Sequence, residues 1–397
     1  MEHILHMAYT GYAYPNETVL PWSALIVVYP YITGLVAGAF VISALYKLFN
    51  IKVFEPVAHF ALLVALCCIV FVPVPLLLHL GHPERALEAM MTPHWSSAFV
   101  MFSYFFSFYT ILLIVENWFT FRPHAVHMSQ HGKSALSRGF YKVVALGSTD
   151  LSPKAMAYDE KWMYWLAVIG LPAACGLHGY VGFVFGSVKA REWWSSDLMP
   201  VIFILSAVIS GSALLLILYP ISCKLRKVAI DLACQKALAK TLWGFLIVTL
   251  VLEGLELLSM FYRRVEGIDW IARFIAGPLH FTYVDLQWGC GLGALVLLTA
   301  LVVFRARGRA LVAVSMVAGL LVLTEVLMMR WNVVIGGQEI SKTLKGMLHY
   351  APPLFGKEGL LVSGAILTLP MIALSIMARL FPPFHDKPAD AVPETAK

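Results

Sequence analysis

Nine stretches of this chain are each long and apolar enough to cross a lipid bilayer, and no other feature restricts its fold as much. A membrane-crossing helix needs about 20 mostly apolar residues. Such stretches lie at about 22–46, 56–80, 97–119, 162–186, 198–220, 241–262, 282–304, 310–331 and 359–381. Backbone N–H and C=O groups have no water to bond in lipid, so each stretch has to be a helix or part of a closed barrel. Runs of this length are too long for barrel strands, which takes the chain to an all-α, polytopic transmembrane helix bundle of about nine spans (8–10). Only 13% of its 397 residues are charged, about half the share found in soluble domains. Residues 1–381 are expected to form a single transmembrane domain. The polar, Pro-rich end, PPFHDKPADAVPETAK at 382–397, reads as a disordered tail. The short apolar run WIARFIAGPLHF before the seventh span reads as a re-entrant or interfacial segment.

Loop charge sets the orientation of such a bundle. With the N-terminus outside, the inner segments hold 19 of the 29 Lys and Arg residues. The expected topology is therefore N-terminus outside and C-terminus inside, multi-pass, in the cytoplasmic (inner) membrane. The net charge of +6 is accounted for by this loop bias, so nucleic acid is not an expected partner. The start of the chain, MEHILHMAYTGYAYPNETVLPW, lacks the basic and apolar regions of a signal peptide. The first span is then expected to direct its own insertion.

Within the apolar runs stand three carboxylates. Glu253 and Glu256 interrupt LWGFLIVTLVLEGLELLSMFY, and Glu325 interrupts AVSMVAGLLVLTEVLMMRW. A carboxylate at that depth costs several kcal/mol unless protonated, paired or wet, so such residues mark proton, ion or substrate paths. Glu253 and Glu256 are three residues apart, on one helix face and about 4.5 Å apart along the axis.

Polar groups also gather at the ends of helices that the expected topology places outside. The second span ends with His79, His82, Glu84 and Arg85; the fourth ends with His178 and Tyr180; Tyr29 stands near the start of the first. A quinone needs an apolar slot for its tail, hydrogen-bonding groups at its ring oxygens and a titratable group beside them. His79, His178, Tyr180 and Tyr29 are candidates for the ring. Glu253, Glu256 and Glu325 are candidates for proton transfer. Arg330, near the end of its helix, reads as a side chain that snorkels to the interface.

Other chemistries leave weaker traces. His124, His127 and His131 share a helix face, as metal ligands would, yet no acid or thiol stands near them and no metal site is expected. Six cysteines occur without a C-x-x-C pair, so no iron–sulfur cluster is expected in this chain. His79 and His178 can also be read as axial ligands of a b-type haem, as in a cytochrome subunit. Buried carboxylates beside Pro-broken helices fit a proton-coupled secondary transporter. Pro73 and Pro75 break the second span, and no counterpart stands in the other half.

Several segments together resemble the NrfD/PsrC family, the membrane subunits of polysulfide reductase and related quinone-linked complexes. They are YPYITGLVAGAF in the first span, LHLGHPERALEAM followed by TPHWSSAF after the second, LPAACGLHGYVGFVFGSVKAREWW in the fourth, and RWNVVIGGQ after the eighth. The last points to the branch that includes DsrP of the DsrMKJOP complexes. The resemblance implies a quinone site near the outer face, at Tyr29, His79, His178 and Tyr180. It implies menaquinol oxidation or menaquinone reduction, with electrons exchanged with a ferredoxin-like iron–sulfur subunit docked outside. Further membrane and cytochrome subunits would complete a respiratory oxidoreductase of sulfur-compound reduction, with no haem or cluster in this chain. Where many family members carry an acidic residue, this chain has His79.

Overall fold

The computed structural model describes residues 10–17 and 19–384. Among them, nine helices are long and apolar enough to cross a membrane. They are α1 (Ala24–Phe49), α2 (Lys52–His79), α3 (Ala98–His131), α4 (Pro153–Gly186), α5 (Met199–Arg226), α6 (Leu232–Tyr262), α7 (His280–Val303), α8 (Gly308–Glu339) and α9 (Leu360–Leu380). The nine expected spans are all present. From residue 385 on, the expected polar tail lies outside the described residues.

Four helices overrun the expected spans on the side opposite the start of α1, and α8 overruns on the other, to Glu339. α3 continues to His131 where the apolar run ends near 119, and α4 begins at Pro153 where the run begins near 162. α5 and α6 overrun at the same side, to Arg226 and from Leu232. Hydropathy marks where lipid ends, whereas a helix ends where its backbone finds a cap. Ser152 Oγ accepts from Ala155 N with Pro153 in the first turn, and Asp231 Oδ1 accepts from Ala233 N and Cys234 N, the usual N-cap chemistry. α5 ends where Lys227 turns left-handed, at φ 57°. Between α3 and α4 lies a further helix, Ala135–Val144, so most of the chain between the third and fourth apolar runs is helical. Arg122 and Asp159 bind it at its root through a two-pronged pair, and Arg122 Nη1 donates to Ser148 Oγ at 3.0 Å. The apolar run before α7 forms a short helix, Ile268–Ala276, with Ile271 and Phe274 buried.

α1 is enclosed from Ala24 to Ala44, packed by α2, α4 and α5. α3 lies on α4; α6 and α8 lie on α5; α7 lies on α8; α9 returns to α2. α1 and α5 cross at Gly38 and Gly211, where a Cβ on either would meet the other helix's backbone. Lipid supplies no hydrophobic drive between helices, so small residues that let backbones approach are a main source of packing.

Three irregularities shape the side of the bundle at which α1 starts, called here the N-side. α2 stops its helical ladder after Ile69 and resumes at Pro73, ending at His79. Proline fits there because a first-turn residue needs no N–H partner. α7 opens with a π-helical segment, His280–Trp288, and α8 passes into another, Asn332–Gly336. Wide turns of this kind are frequent at functional sites. A two-stranded ribbon, β1 (Thr10–Tyr12) antiparallel to β2 (Lys345–Met347), lies on the same side, with Thr10 opposite Met347.

Gly211→Leu should drive α1 and α5 apart and abolish the folded chain, read as loss of the monodisperse peak in detergent size-exclusion chromatography. Gly244→Leu, where an added Cβ meets nothing within 4 Å, should preserve that peak.

Candidate functional site

A cavity of about 880 Å³ opens near the N-side, between the start of α1, the end of α2, the start of α3 and the end of α4. Its walls are mainly apolar, with Ile26, Leu76, Phe99, Phe102, Phe106 and Phe185 prominent. Tyr29 and His79 are polar groups in that wall. Tyr29 is packed edge-on against Phe102 at 5.8 Å. His79 sits at the last turn of the resumed part of α2, so the break at 70–72 sets where its ring stands. Its Nδ1 lies 3.1 Å from Glu358 Oε1, in the loop that leads into α9. The short segment after α2 forms part of the rim, where Arg85 and Glu88 make an exposed ion pair.

Behind this wall lies a buried polar network centred on Arg330. Its side chain is fully buried, and the guanidinium lies over the Phe203 ring at 3.8 Å. Nη2 donates to His178 Nε2 at 2.9 Å and to Ser206 Oγ. Guanidinium can only donate, so His178 Nε2 is the accepting nitrogen and the proton of the neutral ring is on Nδ1. His178 Nδ1 has no partner among the described residues. Arg330 is also within electrostatic reach of Tyr29, Glu253 and Glu325. It therefore stands between the large cavity and the carboxylates and does not snorkel. Sequence alone sets the depth of Arg330 by the end of its apolar run, whereas α8 continues to Glu339.

The carboxylates occupy two places. Glu253 and Glu256 line a smaller cavity of about 60 Å³ with Trp193, Tyr283, Gln287 and Asn332, as their shared face predicts. Gln287 Nε2 donates to Glu253 Oε2 at 3.0 Å, and Asn332 Nδ2 donates to Gln287 Oε1 at 2.8 Å. Both amides come from the π-helical segments, whose extra residue per turn brings them to α6. Glu325 is fully buried, and neither of its oxygens has a partner among the described residues. It packs toward Gly291 of α7, where a Cβ would lie 3.2 Å from its Cγ.

The structure thus brings Tyr29 and His79 to one cavity, Glu253 and Glu256 to a second, and His178 to the network between them. Tyr180 stands against Phe105 at 5.0 Å, outside the residues that line the large cavity. His79 and His178 engage Glu358 and Arg330 respectively and do not face one common cavity. His124, of the three-histidine face, bonds Leu380 O at 3.1 Å. Among the described residues no cluster of His, Cys, Asp or Glu is placed to hold a metal. Sequence reasoning missed Ser206, Gln287 and Glu358. The motif RWNVVIGGQ, which contains Asn332 and Gln338, was the one signal that pointed to this part of the site.

Outside the spans, a clasp secures the N-side. Arg191 donates to the carbonyls of Gly337, Gln338 and Ile340 and lies 3.7 Å from Glu17. Burial lowers its pKa, and the Glu17 carboxylate pulls it back up. Glu17 in turn accepts from Lys342 N and Ser341 Oγ.

Comparison with known proteins places this geometry in a context. Residues 14–341 match the family described as polysulphide reductase, NrfD. A subunit of the selenate reductase of Mesobacillus selenatarsenatis is 29% identical over 379 residues, 92% of this chain and 86% of its own length. A Halobacterium salinarum chain, named provisionally as a membrane subunit of dimethyl sulfoxide reductase, is 28% identical over 58% of this chain and 50% of its own. The Hdr-like menaquinol oxidoreductase integral membrane subunit of Archaeoglobus fulgidus is 22% identical over 63% of this chain and 52% of its own. The chain therefore spans most of the first relative and about half of the other two.

Arg330→Met should strand His178 Nε2 and leave Glu253 and Glu325 without their cation. Breaking one side of a buried charged network costs about 3–5 kcal/mol. Thermal unfolding of the purified protein in detergent should show a clearly lowered Tm, and an unchanged Tm would mean the network carries no stability.

Proposed function

The chain belongs to the polysulphide reductase NrfD family, whose members are membrane subunits of oxidoreductase complexes, and from that premise we propose that it binds a quinone in the N-side cavity. In this reading it exchanges electrons between the quinone and an iron–sulfur group on a partner subunit docked at the N-side, which faces outward. The physiological direction is menaquinol oxidation, in a complex of the DsrP type that serves sulfur-compound reduction. The chain itself holds no haem or cluster. The observation that carries this reading is the cavity. Its size lies within the range of small-molecule sites, its aromatic wall suits an isoprenoid tail, and hydrogen-bonding side chains, Tyr29 and His79 among them, break that wall.

Quinol supplies two electrons and two protons, and the protein's task is to place the ring and move the protons. His79 and Tyr29 are assigned to the ring oxygens. His178 acts from behind the wall, by fixing Arg330. Tyr180 supports the end of α4 beside Phe105 and Phe183. Glu256, Glu253 and Glu325 carry protons; Glu253 and Glu325, beside one guanidinium, can change protonation without leaving a bare charge. Arg330 acts on both sets, being the cation nearest to Tyr29 and to two of the carboxylates.

Stopped-flow reduction of the partner's iron–sulfur group by a menaquinol analogue, in the purified complex, tests the assignment. General acid–base groups contribute roughly 10²–10⁴-fold, so His79→Ala should slow reduction about a hundredfold and His178→Ala at least tenfold. Unchanged rates in both variants would overturn the site. Glu253→Gln should spare quinone binding and slow turnover; lost binding would instead put Glu253 in the pocket.

A further inference from the structure

We propose that Glu358 is the positioning residue of the quinone site and its proton outlet to the N-side, acting through His79. The proposal rests on the quinone reading above and adds a residue and a direction to it. Glu358 lies in the loop before α9, 279 positions from His79 in sequence, and its Oε1 is 3.1 Å from His79 Nδ1. The two ends of the pair differ in environment. The His79 side chain is 19% exposed and lines the large cavity, while the Glu358 side chain is 40% exposed. The dyad therefore joins an apolar chamber to water through two titratable groups.

The chemistry of the contact sets the tautomer. An ionised carboxylate only accepts, so Nδ1 carries the proton and Nε2 keeps its lone pair for the cavity. A ring so held is ready to receive a hydroxyl proton at Nε2. Oxidation of one quinol releases two electrons and two protons. The electrons go to the partner's iron–sulfur group. One proton bonds to His79 Nε2 as the quinol O–H bond breaks, the Nδ1 proton moves to Glu358 Oε1, and Glu358 releases it to water. The second proton is left to the carboxylates behind Arg330.

The loop around Glu358 is held in place by its neighbours. Lys357 Nζ donates to Leu80 O at 3.3 Å, one residue beyond His79. Tyr350 is the other titratable group in reach of Glu358; its hydroxyl accepts from Ala24 N at 3.2 Å at the start of α1. The segment that carries Glu358 is thereby fixed to two of the four helices that form the cavity wall, α1 and the end of α2. A carboxylate needed only to anchor the loop would duplicate the Lys357 contact.

The test is steady-state quinol oxidation by the purified complex, with kcat and KM read separately. Glu358→Gln keeps an acceptor for Nδ1–H and removes the proton acceptor. It should lower kcat roughly tenfold or more with KM within about twofold. Glu358→Asp should recover most of the rate, and acetate in the buffer should restore part of the rate of Glu358→Ala. Lys357→Gln, which cuts the other contact of the same loop, should leave kcat as it is. Wild-type kcat in Glu358→Gln, or a raised KM with unchanged kcat and no acetate rescue, would overturn the proposal. If His79→Gln is impaired while Glu358→Gln is not, only this inference fails. If the wild-type complex neither binds nor oxidises quinol, the quinone reading fails with it.

Discussion

The structure depends on one buried cation. Arg330 sits with its side chain fully enclosed in a bundle whose surroundings are lipid. An ion moved there alone would cost several kcal/mol, so everything near it is arranged as compensation. α4 offers the His178 nitrogen, α5 offers Ser206 Oγ and the face of Phe203, and α6 and α8 bring Glu253 and Glu325 within electrostatic reach. Four spans thus meet at one side chain. The apolar seam between α1 and α5 can stay close-packed and featureless because the polar demand of the bundle is met beside it.

This placement divides the interior into two compartments. One is oily and wide, with Tyr29 and His79 in its wall. The other is narrow and polar, lined by Glu253 and Glu256, with Glu253 fastened by Gln287 and Gln287 in turn held by Asn332. The amides reach the carboxylate because two helices adopt π-helical turns there, displacing side chains that a regular α-helix would aim elsewhere. The same guanidinium is within electrostatic reach of Tyr29 on one side and of Glu253 and Glu325 on the other.

Much of this was legible before the fold was known, and the limits are physical. Nine spans follow from apolar length alone, because lipid enforces helices. Glu253 and Glu256 could be paired because three residues make nearly one turn. The resumption of α2 at Pro73 could be read because proline has few places in a helix. What could not be read was depth and partnership. Arg330 looks like a snorkelling residue when α8 is ended at Trp331, and becomes the centre of the site once the helix runs to Glu339. Gln287 looks like an ordinary interfacial amide until a π-helical turn points it at Glu253. The overruns of α3 to α6 were hidden because hydropathy reports the surroundings of a helix rather than its hydrogen bonds.

His79 shows how a departure from a family pattern can be absorbed. The resemblance leads to an acidic residue at that position, and a histidine there looks like a loss of the proton-accepting group. In three dimensions a carboxylate is present one contact further out, supplied by Glu358 from the other end of the chain. The substitution then moves the charge rather than removing it. A carboxylate directly in the apolar wall would be poorly solvated and held there at a cost. An imidazole can sit in that wall neutral, and the ionised group can stand where water reaches it. On the proposed reading, the pair keeps a proton acceptor at the cavity while the carboxylate stands nearer to water.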